Sequence, residues 1–506
     1  MIRTAATYIL YGLGAILLYE IMRALIAHWI KKRLYRSVRD YLSDNRIRID
    51  RYKFMHKIVV KEDLLNNPEV HRAVIAHALE KKMRIQDVQE QVEEYIEEIV
   101  PFFNLLTYYK VGDWVSRLIL NFLYEVVIDD ENAAKLQKIP RDSVVVVIMN
   151  HRSNVDYILV AYMLAQQISL SYAVGEWARV WPLEHIFKSF GAYFIRRNYR
   201  EKLYHRVLEK YVQLISLQGV TQGVFVEGGL TRDGLLRPAK IGILDYIIRI
   251  KNNPDFNKEL VFVPAAINYD HVLEDSTLVA EWKKGKMKSG FRDNLKSLVK
   301  ITFKIPYLGV VNTVRYMTGR IRRHGYASVS FGDPVFLSDF LKSQDVDIFT
   351  LERHERLARV QEFADGMLRR IGEMIPVTPM CVTARAIISM ERGAIDRKSL
   401  IRKVEQLRKE IKSRGGRIVA GKAFELNAAM HDKLDSEKGE RSRDLVAFEE
   451  DFLEGDESVQ TVKLALDIMK KRKMVKVKKG KIQVNRGNRA LLEYYSNSLT
   501  ALLGEQ

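Results

Sequence analysis

One cysteine, Cys381, stands alone in 506 residues. A lone thiol excludes an intramolecular disulfide and any thiolate metal cluster, and it suits a reducing compartment. No histidine lies near it in PVTPMCVTARA, so it reads as a packed residue rather than a nucleophile. Internal repeats and low-complexity tracts are also missing. So is any uninterrupted apolar run of the roughly 20 residues that a spanning helix needs. The nearest approach is AATYILYGLGAILLY, Ala5 to Tyr19, which is uncharged until Glu20 and Arg23 interrupt it.

Glu20 and Arg23 can pair on one helix face, which extends the usable segment to Ile30. No small-residue cleavage site follows, which argues against a signal peptide. Lys31, Lys32, Arg33, Arg36 and Arg39 favour a cytoplasmic position for what comes next. Residues 1–38 are therefore expected to attach to a phospholipid membrane, spanning it or lying in its interface. A helix docked on the body of the protein is the plainer alternative. Acidic residues are in deficit too: 82 Lys plus Arg against 63 Asp plus Glu leave a net charge of +19. That excess suits an anionic partner, whether phospholipid headgroup, nucleic acid or phosphorylated substrate.

From 39 to 138 the pattern is helical. PEVHRAVIAHALEKKM and VQEQVEEYIEEIVPFF space their apolar residues at three and four, with Pro68 and Pro101 as punctuation. Across 139–376 the character alternates. VVVVIM, ISLSYAV, AYFIR, GVFVEG, LVFVPAAIN and ASVSFGDPVF read as strands, with helical stretches between most of them. Such alternation predicts an α/β fold with a mostly parallel sheet flanked by helices. Residues 377–506 read as a smaller, mainly helical and winged-helix-like region. It holds a charged linker between Asp432 and Asp444 and a hairpin centred on Gly480.

The chemistry-bearing residues gather where strands end. VVVVIMNHRSNVDYILV places His151 in the turn after a strand and Asp156 in the first turn of a helix. Two readings fit. Asp156 orients the imidazole, which then takes a proton from a hydroxyl; or Ser153 and Asp156 simply cap the helix. GAYFIRRNYREKLY sets Arg196, Arg197, Arg200 and Lys202 beyond another strand. FVEGGLTRDG adds Glu227, Gly228, Gly229 and Arg232, with Lys240 following. Loops beyond strand ends are where α/β proteins bind ligands, and arginines beside glycine-exposed N–H groups suit a phosphate. Each alone also fits a solvated loop.

Taken in order, these stretches resemble a known family. NHRSNVD is similar to the H-x4-D first motif of the glycerolipid acyltransferases, GAYFIRR to the second, FVEGGLTRDG to the third and FVPAAINYDHVLE to the fourth. The chain most resembles the membrane-bound, bacterial type of glycerol-3-phosphate 1-O-acyltransferase. NPEVHRAVIAHA, VSFGDPVFL, PVTPMCVTARAI and LLEYYSNSL carry that likeness over Asn67 to Leu499. The resemblance implies acyl transfer from acyl-CoA or acyl-carrier protein to the 1-hydroxyl of glycerol 3-phosphate, giving lysophosphatidate. It implies a place on the cytoplasmic face of the inner membrane and no cofactor or metal beyond the thioester co-substrate.

On the same resemblance His151 is the general base and Asp156 its orienter. Arg197 and Arg232 hold the acceptor's phosphate, with Arg196, Lys202 and Lys240 in the same binding set. Glu227 and Gly228 shape the acceptor pocket, and Pro264 forms a turn near the acyl chain. One position departs from the pattern. The family's third motif usually reads E-G-G-R-S-R or E-G-T-R-S, and Leu230 occupies the first arginine's place. Three accounts follow: Arg232 works alone, Lys240 and Arg237 compensate, or the acceptor is dihydroxyacetone phosphate or a lysophosphatidate. A rival of another class reads Leu464 to Arg489 as the last helix and basic wing of a nucleic-acid-binding winged helix. A wing lying on anionic lipid, or packed on the body, explains that segment equally well, and no nucleic-acid partner is expected.

Overall fold

A computed structural model of the chain describes residues 57–101, 120, 123–128, 139–140, 142–164, 171–175, 179, 183–189, 191–196, 199–285, 324–390, 393–419, 457–478 and 480–505. In chain order come α1 (Lys57–Leu65), α2 (Pro68–Lys81), α3 (Ile85–Ile99), β1 (Glu125–Ile128), β2 (Ser143–Met149), α4 (Asp156–Leu164), β3 (Ser171–Gly175), α5 (Leu183–Ser189), β4 (Tyr193–Ile195) and α6 (Lys202–Leu217). Then follow β5 (Gln222–Phe225), α7 (Gly242–Ile248), β6 (Glu259–Tyr269), α8 (Asp275–Lys283), β7 (Tyr326–Phe331), β8 (Val335–Phe336), α9 (Leu337–Lys342) and α10 (Arg353–Glu373). The last are α11 (Pro379–Ser389), β9 (Ile395–Asp396), α12 (Arg397–Ser413), α13 (Glu457–Lys471), β10 (Val475–Lys478), β11 (Lys481–Val484) and α14 (Arg489–Ser496). The expected membrane segment lies outside the described residues. Among those described, no helix is long and apolar enough to cross a membrane.

The expected mostly parallel sheet is present. Its eight strands run β1-β7-β6-β2-β5-β3-β4, with β8 also on β6. Strands β6, β2, β5, β3 and β4 are mutually parallel, while β7 and β8 run antiparallel to β6. SVVVVIM makes β2 central because every one of its residues is buried, as in a strand covered on both faces. Val145, Val147 and Met149 enter one core, and Val144, Val146 and Ile148 the other. The second core is closed by α1, α2, α3, α6, α7 and α10, through residues such as Val74, Val92, Val207 and Phe363. The first is closed by α4 and by α11, α12, α13 and α14, through Leu159, Val382, Val404, Leu466 and Leu492. The C-terminal region, whose composition differs, thus buries its helices against the same sheet face.

The expected Gly480 hairpin is seen as β10 and β11, with Gly480 at φ 73°. Strand β11 also pairs with β9, so the hairpin belongs to a three-stranded sheet. Pro264 corrects an expectation, since it lies inside β6, in register with Ile148, rather than in a turn. A proline there needs a gap in the ladder. The antiparallel partner of β6 changes from β8 at 261–262 to β7 at 265–269. Pro264 falls between them, its carbonyl accepting Gly332 N–H at 2.8 Å. It lines a cavity of about 210 Å³ with Asp333, Arg370, Glu373 and Arg417, a lining too charged to suit an acyl chain.

The ladder of β2 is closed by a side chain. Asn150 Nδ2 donates to Ile267 O at 3.0 Å, and its Oδ1 accepts Ile267 N–H at 2.7 Å. Replacing Asn150 by Ala strands both buried groups of Ile267, which should cost about 2 kcal/mol. Urea unfolding measures this, and a loss below about 0.5 kcal/mol would refute the clamp.

Candidate active site

Beyond Asn150 the chain turns, and Asp156, the first residue of α4, comes back beside the imidazole. A spacing of five, which would hold side chains apart on a continuous helix, is taken up by this turn. His151 Nδ1 donates to Asp156 Oδ2 at 2.9 Å. The same oxygen accepts the backbone N–H groups of Arg152 at 2.6 Å and Ser153 at 3.0 Å. Oδ1 accepts the Tyr269 hydroxyl at 2.7 Å. Asp156 is fully buried, a placement that is tolerable only because four donors meet it. Ser153 Oγ in turn accepts Val155 N–H at 3.3 Å. The two readings of the stretch are therefore not rivals: Asp156 caps the helix with the same carboxylate that holds the histidine.

A proton held on Nδ1 by Asp156 leaves Nε2 as the basic nitrogen of the ring. The ring is stacked on Phe225, with centroids 4.3 Å apart. Phe225 ends β5, and Glu227 follows it under the histidine turn. Glu227 Oε1 accepts His151 N–H at 2.8 Å, and Oε2 accepts Arg237 N–H at 2.7 Å. Burial pushes the Glu227 carboxyl up to about 7, against the pull of those two N–H donors. Gly228 holds φ at 64°, and a Cβ there would meet Lys240 Cδ at 2.6 Å. Glycine suits this left-handed turn and leaves room for the lysine stem to lie across it. Leu230 packs against the core, and Arg237 Nη1 donates to its carbonyl at 3.4 Å.

The binding candidates divide. His151, Asp156, Glu227, Gly228 and Lys240 come together around the two turns. Arg232 sits on the same loop, about half exposed and paired with Glu281 of α8 at 2.9 Å. Arg196 is a correction. Its Nε and Nη2 grip the buried Glu98 at 2.6–3.0 Å, and the rings of Tyr95, Tyr199 and Tyr204 surround its guanidinium. The Glu98 bond comes first among the causes that raise its pKa further. This arginine fastens the second-motif strand to α3, and its fork is committed to Glu98 rather than to a substrate. Lys202 is exposed at the start of α6. Arg197 lies outside the described residues.

Three participants went unnoticed in the sequence. Tyr269 reaches Asp156 from the far end of β6. Glu274 accepts Ser153 Oγ–H at 2.8 Å and Asn154 N–H at 3.3 Å, and burial raises its pKa. Arg152 is buried beside the histidine, donating from Nη1 to Gly234 O at 2.8 Å. Tyr269 and Glu274 both fall within INYDHVLE, so the only available signal was polar residues gathered at a strand exit.

A parallel sheet with this histidine–aspartate turn at its carboxyl edge is an arrangement suited to acyl transfer. The sequence model of the Acyltransferase family matches residues 132–268, and that of the glycerol-3-phosphate acyltransferase C-terminal region matches 310–440. Over these two regions the chain is similar to the glycerol-3-phosphate acyltransferases. A protein of that name from Aeromonas hydrophila is 26% identical over 73% of this chain and 44% of its own length. Another, from Pseudoalteromonas atlantica, is 26% identical over 68% of this chain and 41% of its own. The chain thus spans less than half the length of these relatives. The crystal structure of the 1-acyl-sn-glycerophosphate (LPA) acyltransferase PlsC from Thermotoga maritima covers 53% of this chain and 80% of its own, at 16% identity and a TM-score of 0.30. That last likeness carries no weight for the fold. Both matched family models are acyltransferase models, and the nucleic-acid-binding reading finds no support.

Glu227 also gives a pH test. Its folded pKa of about 7 exceeds the ordinary 4.5, so within that window the native chain keeps a proton that the unfolded chain has lost. Its contribution to stability therefore falls as pH rises from 4.5 to 7. Relative to Glu227→Gln, the wild type should lose up to about 3 kcal/mol between the two ends of the window. Parallel unfolding curves for the two proteins would contradict the shift.

Proposed function

We propose that this chain transfers a fatty acyl group from acyl-CoA or acyl-carrier protein to the 1-hydroxyl of glycerol 3-phosphate, producing lysophosphatidate. The observation that carries the proposal is the His151–Asp156 pair, 2.9 Å apart, on a turn beyond the central strand. His151 Nε2 takes the proton from the acceptor hydroxyl as its oxygen attacks the thioester carbonyl. The tetrahedral intermediate collapses by breaking the C–S bond, and the departing thiolate receives the proton from the imidazolium. Asp156 holds the ring's orientation and faces the positive charge while it lasts. The thioester is already activated, so positioning and one base supply much of the rate without a metal.

Selection of glycerol 3-phosphate falls to the 227–240 loop, which brings Arg232, Arg237 and Lys240 toward the turn carrying the base. Arginine forks and lysine point charges both suit a phosphate. The name of the relatives, glycerol-3-phosphate acyltransferase, supports that acceptor. Leu230 in place of an arginine keeps dihydroxyacetone phosphate and lysophosphatidate in the comparison. An amphiphilic product and the greasy stretch at residues 5–30 favour work at a membrane surface, on its cytoplasmic side.

His151→Ala should lower turnover at least about a thousandfold while the unfolding transition stays near that of the wild type. Near-normal turnover would remove His151 from the mechanism. With one labelled acyl-CoA, glycerol 3-phosphate should outcompete dihydroxyacetone phosphate and lysophosphatidate, and Arg232→Ala should raise the acceptor's KM more than the thioester's. An equal rise in both KM values would place Arg232 away from the phosphate.

A further inference from the structure

The last helix stands closer to the site than its position in the chain suggests. The third-motif turn, Thr231 to Leu235, is held from two sides. On one side Thr231 N–H donates to His151 O at 3.1 Å, and Arg152 Nη1 donates to Gly234 O at 2.8 Å. On the other, Asn497 Nδ2 donates to Asp233 O at 2.9 Å. Gly234 meets the backbone of α14 directly: a Cβ on it would lie 1.8 Å from Tyr494 O, and its φ is +88°. No L side chain fits there on either count.

Arg152 joins the two sides. It is 1% exposed, and its Nε and Nη2 meet no hydrogen-bond acceptor. Its guanidinium donates to Gly234 O and lies over the Tyr494 ring, 5.0 Å from the ring centre, with the Glu227 carboxyl within its field. The neighbouring Tyr495 binds the fourth-motif exit, accepting Val272 N–H at 3.1 Å and donating to Asp275. One corner of the chain, Tyr494 to Asn497, therefore touches both loops that flank the histidine turn.

We propose that this corner is a positioning element for the acceptor site: Tyr494, Tyr495 and Asn497 set the height of the third-motif turn against His151, and thereby place Arg232 and Arg237 on the acceptor's phosphate. The inference rests on the reading of the 227–240 loop as the acceptor site. The Asn497 side chain reaches the loop through its hydrogen bond to the Asp233 carbonyl, so its loss shifts the cations without touching the base. Binding of the phosphate then weakens, while thioester binding and proton transfer do not.

The test is Asn497→Ala in the full chain, beside Asn497→Asp, which keeps the size but replaces the donor with an acceptor. Glycerol 3-phosphate KM should rise about fivefold in the alanine variant and further in the aspartate variant. The KM for acyl-CoA and kcat should stay within about twofold. Amide hydrogen exchange at 231–235 should also quicken in both variants, a readout that needs no turnover. Equal rises in both KM values, or unchanged exchange at 231–235, would overturn the inference. If the wild type acylates another acceptor instead, the proposed substrate fails, and the KM comparison is made with that acceptor. If it acylates none, the proposed function fails, and the exchange measurement alone decides the coupling.

Discussion

One buried carboxylate organises the site. Asp156 collects the imidazole of His151, two consecutive backbone N–H groups and the hydroxyl of Tyr269. A carboxylate stripped of water must find such donors within the protein. The partners it finds come from the turn after β2 and the end of β6. The demand for four donors therefore dictates how the 151–156 turn and the end of β6 approach one another. The geometry suited to moving a proton is the geometry that makes the buried charge tolerable.

Around that centre the parallel sheet supplies a rim. Strands β2, β5 and β6 end on the same edge, so the turns after them face one another without long connections. Backbone-to-side-chain bonds then fix the spacing. Glu227 ties the histidine turn to Arg237, Asn150 ties it to Ile267, and Glu274 ties the cap of α4 to the exit of β6. Side-chain hydrogen bonds to backbone are short and directional, so these turns are set by chemistry rather than by packing alone. The cations at the rim differ in how firmly they are held, Arg196 being gripped by the buried Glu98 and Arg232 paired at the surface with Glu281.

Much of this was legible in the sequence, because local pattern reports local structure. The seven buried residues of β2, the strand–turn–helix junction at NHRSNVD and the glycine turn after FVE announce themselves by periodicity and residue type. Partners far apart in the chain do not. Tyr269 lies 113 residues from Asp156, and Glu98 lies 98 from Arg196. Nothing in either local stretch marks such pairs, since sheet order decides them. Arg196 and Arg197 are adjacent and chemically identical, and only the tertiary position of Glu98 assigns the first to the scaffold. Pro264 misled for a related reason: proline signals a turn locally, and the change of partner along β6 that admits it is a property of the whole sheet.

The shared core has a consequence for how the chain is made. The strands of the sheet are complete by residue 336, yet α13 and α14, which supply Val462, Leu466, Leu491 and Leu492 to the cover of one face, follow far behind them in the chain. A ribosome that has delivered the histidine turn, the glycine turn and every strand of the large sheet still carries an apolar face lacking its final helices. Folding of that half waits on those helices, and until they arrive the nascent chain bears the sticky surface that aggregation exploits. Contacts joining residues two to three hundred positions apart also make loop closure the slow stage of the process. Emergence of α13 and α14 is thus the event that both covers the sheet and sets the height of the third-motif turn.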